Sequence, residues 1–215
     1  MMESEFHPWF HDLQAARTVA ALKKNNFDAH WVTDMKTLLE SIFNMIPEGA
    51  TVGVGGSVTL NQIGFFEAAE ERQIKVLNPS LQKLSMEDFI GERRQILTAD
   101  VFLSSANAIT EDGMIFNIDG TGNRVASMMF GPKKVILVCG INKVVKDANS
   151  AYKKVREFTA PMNARRIGLK TPCAETGVCV DCASPQRICN IFVTMAKRPV
   201  RTDMTVFLVN ERLGF

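Results

Sequence analysis

The sequence predicts an α/β fold: a largely parallel sheet with helices on both faces and an N-terminal helical extension. Three observations carry that expectation. Short apolar runs of strand length alternate with stretches of helical spacing along most of the chain, which is the pattern of βαβ units. One run, Val135-Ile-Leu-Val-Cys139, is apolar throughout, as a strand buried on both faces would be. A glycine-rich turn, Gly53-Val54-Gly55-Gly56-Ser57, joins the end of another run to a helix. In open α/β sheets that is where ligands sit.

Each element follows from local pattern. Residues 8–24 carry apolar positions at Phe10, Leu13, Ala16, Ala20 and Leu22 and predict a helix ended by Asn25-Asn26. Residues 29–32 predict a short strand. A second helix starts at Thr33-Asp34, buries Met35, Leu38, Leu39, Ile42, Phe43 and Ile46, and stops at Pro47-Glu48-Gly49. Strands are expected at 50–54, 74–77, 100–104, 114–118, 134–139, 188–193 and 204–209. Helices are expected after Ser57, from the capping box Ser85-x-x-Asp88 to about Thr98, at 121–129, and from Asp147 to Ile167 with a break or kink at Pro161. The turn at 110–113 separates the strands at 100–104 and 114–118 and reads as a β-excursion or a hairpin. The chain reads as a single domain, with 1–47 as its helical extension and 172–190 as a cysteine-rich segment inside it.

Composition narrows the function classes. The chain has 215 residues, 46% hydrophobic and 22% charged, with a net charge of +2. That charge gives no general argument for nucleic-acid binding. No apolar run approaches the ~20 residues of a membrane span. The first residues are acidic where a signal peptide needs basic ones, so the expected location is the cytoplasm.

Four of the five cysteines, Cys173, Cys179, Cys182 and Cys189, fall within 17 residues, spaced C-x5-C-x2-C-x6-C. Thiolates are soft ligands that zinc and iron–sulfur clusters select. The outer spacings match neither a common zinc ribbon nor the ferredoxin run. The cluster therefore reads either as a metal or iron–sulfur site or as a loop of reduced thiols. Cys139 reads as a core residue.

The glycine-rich turn is neither a Walker loop nor G-x-G-x-x-G. It reads either as an anion cradle or as a tight turn with Ser57 as helix N-cap. Asp119-Gly-Thr-Gly-Asn123 packs turn formers ahead of Arg124, whose guanidinium suits a carboxylate or phosphate. Asn107 belongs to the same constellation. Glu111 is a candidate general base or nucleophile, against the plainer reading of an exposed hairpin turn. Lys143 follows the buried strand and reads either as a second cation for that anion or as a solvated loop lysine. His7 and His11 share a helix face without further ligands.

Taken together, Gly53-Val-Gly-Gly-Ser57-x-Thr59, Asn107-Ala-Ile-Thr110, Asn117-Ile-Asp-Gly-Thr-Gly-Asn-Arg124, Phe130-Gly-Pro-Lys-Lys134, Gly140-Ile-Asn-Lys143, Ala160-Pro-x-Asn163 and the Pro172–Asn190 stretch resemble the lactate-utilisation (LUD-domain, formerly DUF162) family. Within it, the chain is similar to the short members without a ferredoxin domain. The resemblance implies a fold similar to the superfamily of sugar-phosphate isomerases, CoA-transferases and formyltetrahydrofolate cyclo-ligases. It implies a role as a subunit or accessory factor in oxidation of L-lactate to pyruvate, with iron–sulfur partner subunits, and homo-oligomers are common in the superfamily. Carried over by motif, Gly55, Gly56 and Ser57 would cradle an anion, a small carboxylate or a phosphorylated substrate, and Asn107, Asp119, Asn123 and Arg124 would line the facing wall. The alternative is a free-standing isomerase- or transferase-like enzyme acting on a phosphorylated or CoA-linked small molecule.

Overall fold

The computed structural model describes residues 3–215. Its main sheet has six strands: β1 (Asp28–Val32), β2 (Thr51–Val54), β3 (Lys75–Leu77), β4 (Val101–Ser104), β7 (Lys134–Gly140) and β10 (Asp203–Val209). They lie in the order β1-β10-β7-β4-β2-β3, and every pairing is parallel. A second sheet of four short strands, in the order β8-β5-β6-β9, is formed by β5 (Ala108–Thr110), β6 (Ile115–Asp119), β8 (Val144–Val145) and β9 (Ile191–Met195).

Burial on both faces is written into β7. Val135, Leu137 and Cys139 enter one core, Ile136 and Val138 the other, because successive side chains of a strand point to opposite faces. On the first face they meet Ala15 and Leu22 of α1 (Glu3–Lys24), Ile96 of α5 (Met86–Ile96) and Met128 of α6 (Asn123–Met129), with Ile109, Ile115 and Met195 of the second sheet. On the other they meet Leu38 and Ile42 of α2 (Met35–Asn44), Leu60 of α3 (Val58–Gln62), and Phe65 and Ala69 of α4 (Phe65–Glu71). Cys139 is a core residue, as its apolar run implies. The outer face of the second sheet packs Ala108 and Ile118 on Ala151, Val155 and Ala160, which lie on α7 (Ala148–Lys153), the helical segment after it and α8 (Ala160–Arg166).

Four details differ from the pattern read in the sequence. The buried positions of α1 are Ala15, Thr18 and Leu22, whereas Phe10 and Leu13 are exposed. The helix lies so close to the β5–β6 hairpin that a Cβ on Gly113 would come within 2.6 Å of the Ala21 carbonyl carbon, which leaves room only for small side chains along part of that seam. The stretch before residue 47 is more than a cap of helices, since β1 forms one edge of the main sheet. The helix after Ser57 is divided at Gly64, where φ is +71°. The long helix from 147 is interrupted by a π-helical turn at Lys154–Thr159, ahead of Pro161. Proline has no N–H to return to a carbonyl in the preceding turn, and wider turns relieve that mismatch.

Candidate functional site

In the main sheet β3 lies on one side of β2 and β4 on the other. The connections leaving β2 and β4 therefore diverge, and such a switch of direction opens a crevice at the carboxyl ends of the strands. A cavity of about 500 Å³ fills it. Its floor comes from residues 55–59 after β2, 104–107 after β4, and Lys143 beyond β7. The second sheet and the start of α6 supply one wall (118–121, Asn123, Arg124), and α8 supplies another through Asn163 and Arg166. A recess of similar size, about 520 Å³, lies at the opposite end of the sheet. It opens broadly to solvent, and its charges are partly neutralised by a Lys134–Asp203 ion pair at 2.9 Å. Of the two, the crevice at the switch point is the better site, because convergent loops and buried polar groups meet there.

Gly55, Gly56, Ser57, Asn107, Asp119, Asn123, Arg124 and Lys143 all line the cavity. Their roles divide on inspection of their partners. Ser57 caps α3, its Oγ accepting from the Leu60 N–H at 3.3 Å. Gly55 lies under Arg124, whose Cγ would be 3.0 Å from any Cβ there, and Gly56 adopts φ +77°. Asp119 Oδ1 accepts from the N–H groups of Thr121 and Gly122 at 3.1 and 2.8 Å and so shapes the turn into α6.

Arg124 is engaged throughout. Nη1 donates to the Ser105 carbonyl (3.2 Å) and Asn117 Oδ1 (2.9 Å). Nη2 donates to Asn107 Oδ1 (3.1 Å) and the Ile118 carbonyl (2.7 Å). Nε lies 3.4 Å from Asp119 Oδ2. The guanidinium therefore ties the β4–β5 loop to β6 rather than standing free as a clamp, and its field contributes positive charge to the cavity. Burial lowers its pKa, an effect that Asp119 opposes.

Lys143 is different. It is 3% exposed, and its Nζ donates to Ser105 Oγ at 2.6 Å and Thr59 Oγ1 at 3.1 Å, with no carboxylate among its described partners. Desolvation is the main cause that brings its pKa from 10.5 to about 8, and the charges of Arg124 and Lys154 push the same way. The solvated-loop reading therefore does not describe it. Two further hydroxyls on the cavity, Ser104 Oγ and Thr159 Oγ1, are buried without a partner among the described residues.

Sequence reasoning did not single out Thr59, Ser105, Arg93 or Asn163 for the cavity. Arg93 lies on α5, in a stretch whose only legible signal is helical, and Thr59 closes the motif of the glycine-rich turn at the start of α3. Glu111 is not part of the cavity lining. Its carboxylate accepts from Gln14 Nε2 at 3.0 Å and lies 3.5 Å from Arg17, so it fastens the hairpin to α1.

The cysteine segment begins with the short helix α9 (Pro172–Thr176) and then runs without regular structure. It docks on the roof of the cavity: Asn190 N–H donates to the Asp119 carbonyl at 3.0 Å, and Ile188 packs against Gly120. Arg187 organises it, donating to the Cys182 carbonyl at 2.7 Å and the Cys189 carbonyl at 3.3 Å while pairing with Asp181 at 2.8 Å. Arg156 pairs with the same carboxylate at 3.0 Å. All four thiols are free and partly buried. Cys189 has its pKa raised, chiefly by burial, an effect that Arg187 opposes and that Cys179, Cys182 and Cys173 reinforce, so each of those three lies within electrostatic reach of Cys189. As a donor set they fit a thiophilic metal or cluster. Among the described residues, no three Cys, His, Asp or Glu side chains converge on the separation of ligands to one ion.

The chain is thus an α/β protein with a parallel sheet and, at its switch point, a polar cavity lined by four cationic side chains. The model of the LUD domain matches residues 15–209, and the chain belongs to that family. None of the curated proteins matches it. It is similar in fold to the crystal structure of a DUF162 family protein from Deinococcus radiodurans, with a TM-score of 0.54 and 14% identity, over 93% of this chain and 98% of that one. No helix among the described residues is long and apolar enough to cross a membrane.

Proposed function

We propose that this chain is a subunit or accessory factor in the oxidation of L-lactate to pyruvate, and that its cavity binds a small carboxylate. The observation that carries this reading is the charge of the lining side chains: Arg93, Arg124, Arg166 and Lys143 line the cavity, and Asp119 is the one acidic side chain among its lining residues. A low-dielectric crevice with that imbalance attracts an anion. Lys143, held by two hydroxyls and no carboxylate, is the charge whose desolvation a bound carboxylate relieves. Ser104 and Thr159 offer hydroxyl donors to the same guest. Cys173, Cys179, Cys182 and Cys189 are the residues that would hold an iron–sulfur cluster or zinc; when bound, a cluster supplies one-electron transfer beside the cavity, and zinc a structural clamp.

The test is calorimetric titration of the protein, purified without oxygen, with L-lactate, pyruvate and a sugar phosphate. Binding of lactate or pyruvate that is lost in Lys143→Met supports the reading. Binding of the sugar phosphate alone would move the chain to the free-standing isomerase- or transferase-like class.

A further inference from the structure

We propose that Lys143 is a covalent site for 2-oxo acids, its amine condensing with the carbonyl of the bound acid to form a Schiff base. The inference rests on the carboxylate reading above and names the chemical class that the cavity would hold most firmly.

The geometry has the parts this reaction needs. Lys143 lines a cavity of about 500 Å³, wide enough for a small acid. The chain turn at Leu213–Phe215 covers it closely: a Cβ on Gly214 would lie 3.1 Å from Nζ. Lysine reacts with carbonyls only as the neutral amine, and burial beside other cations is a recognised way to provide that form. The charges of Arg124 and Lys154 favour the neutral form and Cys139 opposes it, while Asp119, Arg93 and Arg166 line the same cavity. The pKa of about 8 leaves a large neutral fraction at mildly alkaline pH.

The step balances without an oxidant or reductant. The Nζ lone pair attacks the carbonyl carbon and an N–C bond forms. One proton passes from nitrogen to the carbonyl oxygen, giving a carbinolamine. The hydroxyl of that adduct then leaves with a second proton as water, and the C=N bond closes. Ser105 Oγ, 2.6 Å from Nζ, is placed to relay the proton. Arg93 and Arg166 line the same cavity and are cations suited to the carboxylate of the acid. A 2-hydroxy acid occupies the same space but has no carbonyl to condense.

The experiment is reductive trapping of the full chain with pyruvate and borohydride at pH 8, read by intact mass and peptide mapping, with excess L-lactate as competitor. The expected result is a single reduced pyruvate adduct on the peptide carrying Lys143. It should form on the order of a hundredfold faster than on a lysine of ordinary pKa, the ratio of neutral fractions. Lactate should slow it, and Lys143→Arg, with folding checked by circular dichroism, should abolish it. If that variant does not fold, the wild-type peptide map decides alone. Adducts confined to surface lysines overturn the proposal. Calorimetric binding of pyruvate without any adduct overturns it while leaving the carboxylate site standing. Neither binding nor adduct overturns both.

Discussion

Arg124 Nη2 donates to Asn107 Oδ1 across 3.1 Å, and the same oxygen accepts the Ile118 N–H at 2.9 Å. Through that shared acceptor, two residues of the cavity wall hold each other in place, and the loop after β4 is locked to β6. Arg124→Ala leaves Asn107, Asn117 and Asp119 without their cation. We expect a loss of about 3 kcal/mol, the cost of breaking a buried charge network from one side. Arg124→Lys should recover little, since one ammonium cannot reproduce a planar fork that meets five oxygens. Urea midpoints of both variants check this.

Lys143 should make stability depend on pH in a defined window. Its folded pKa of about 8 lies below its ordinary 10.5, so between those values the unfolded chain binds more protons and stability rises with pH. The penalty of holding the charge buried is fully present below pH 8 and is removed as pH passes 10.5, a span of roughly 3 kcal/mol. Lys143→Met should flatten that rise when unfolding is followed from pH 7.5 to 10. Affinity for L-lactate, which favours the ammonium form, should fall as pH passes 8.

Arg93 and Arg166 line the cavity from α5 and α8. Arg166 holds Asn163 Oδ1 through Nε and Nη2, at 3.0 and 2.7 Å. Neutralising either to Gln should weaken carboxylate binding by about tenfold, the scale of one charge-assisted hydrogen bond. The thermal midpoint should stay near that of the wild type, and titration at two salt concentrations should show a reduced salt dependence.

Gly113→Ala should cost about 2 kcal/mol or more. Its φ is +83°, and the new methyl would lie 2.6 Å from the Ala21 carbonyl carbon and 2.7 Å from the Leu22 nitrogen. Gly49→Ala is the matched control: φ is +72°, but nothing lies within 4 Å of the new atom. Its cost should be confined to the backbone conformation, about 1 kcal/mol. Denaturation curves of the pair separate steric from conformational cost.

The alternation of strands and helices was legible because each central strand is buried on both faces and so carries an unbroken apolar run. The second sheet was not: β5 and β8 have three and two residues, too short for a period to emerge. The buried stripe of α1 was misplaced because Phe10 and Leu13 are large and apolar, whereas the seam admits Ala15 and Thr18. At the site, motifs brought out the residues of the two turns. They did not reveal that Arg124 is consumed internally or that Lys143 is buried, because both facts depend on pairings, Arg124 with Asn117 and Lys143 with Ser105, that only the folded chain brings about. Glu111 has the residue type for catalysis, but its hairpin points toward α1.

The bond from Thr205 Oγ1 to Asp28 Oδ2 joins residues 177 positions apart, on the edge strand β1 and its neighbour β10. During synthesis, β1 leaves the ribosome long before the strand it pairs with exists. At ~5–20 residues per second the interval is on the order of ten to thirty seconds. Throughout it, β1 lacks the strand it pairs with, and for about the first half of it α1 has no hairpin to lie against. The first strand made is therefore one that can enter the sheet only after the last one has been made.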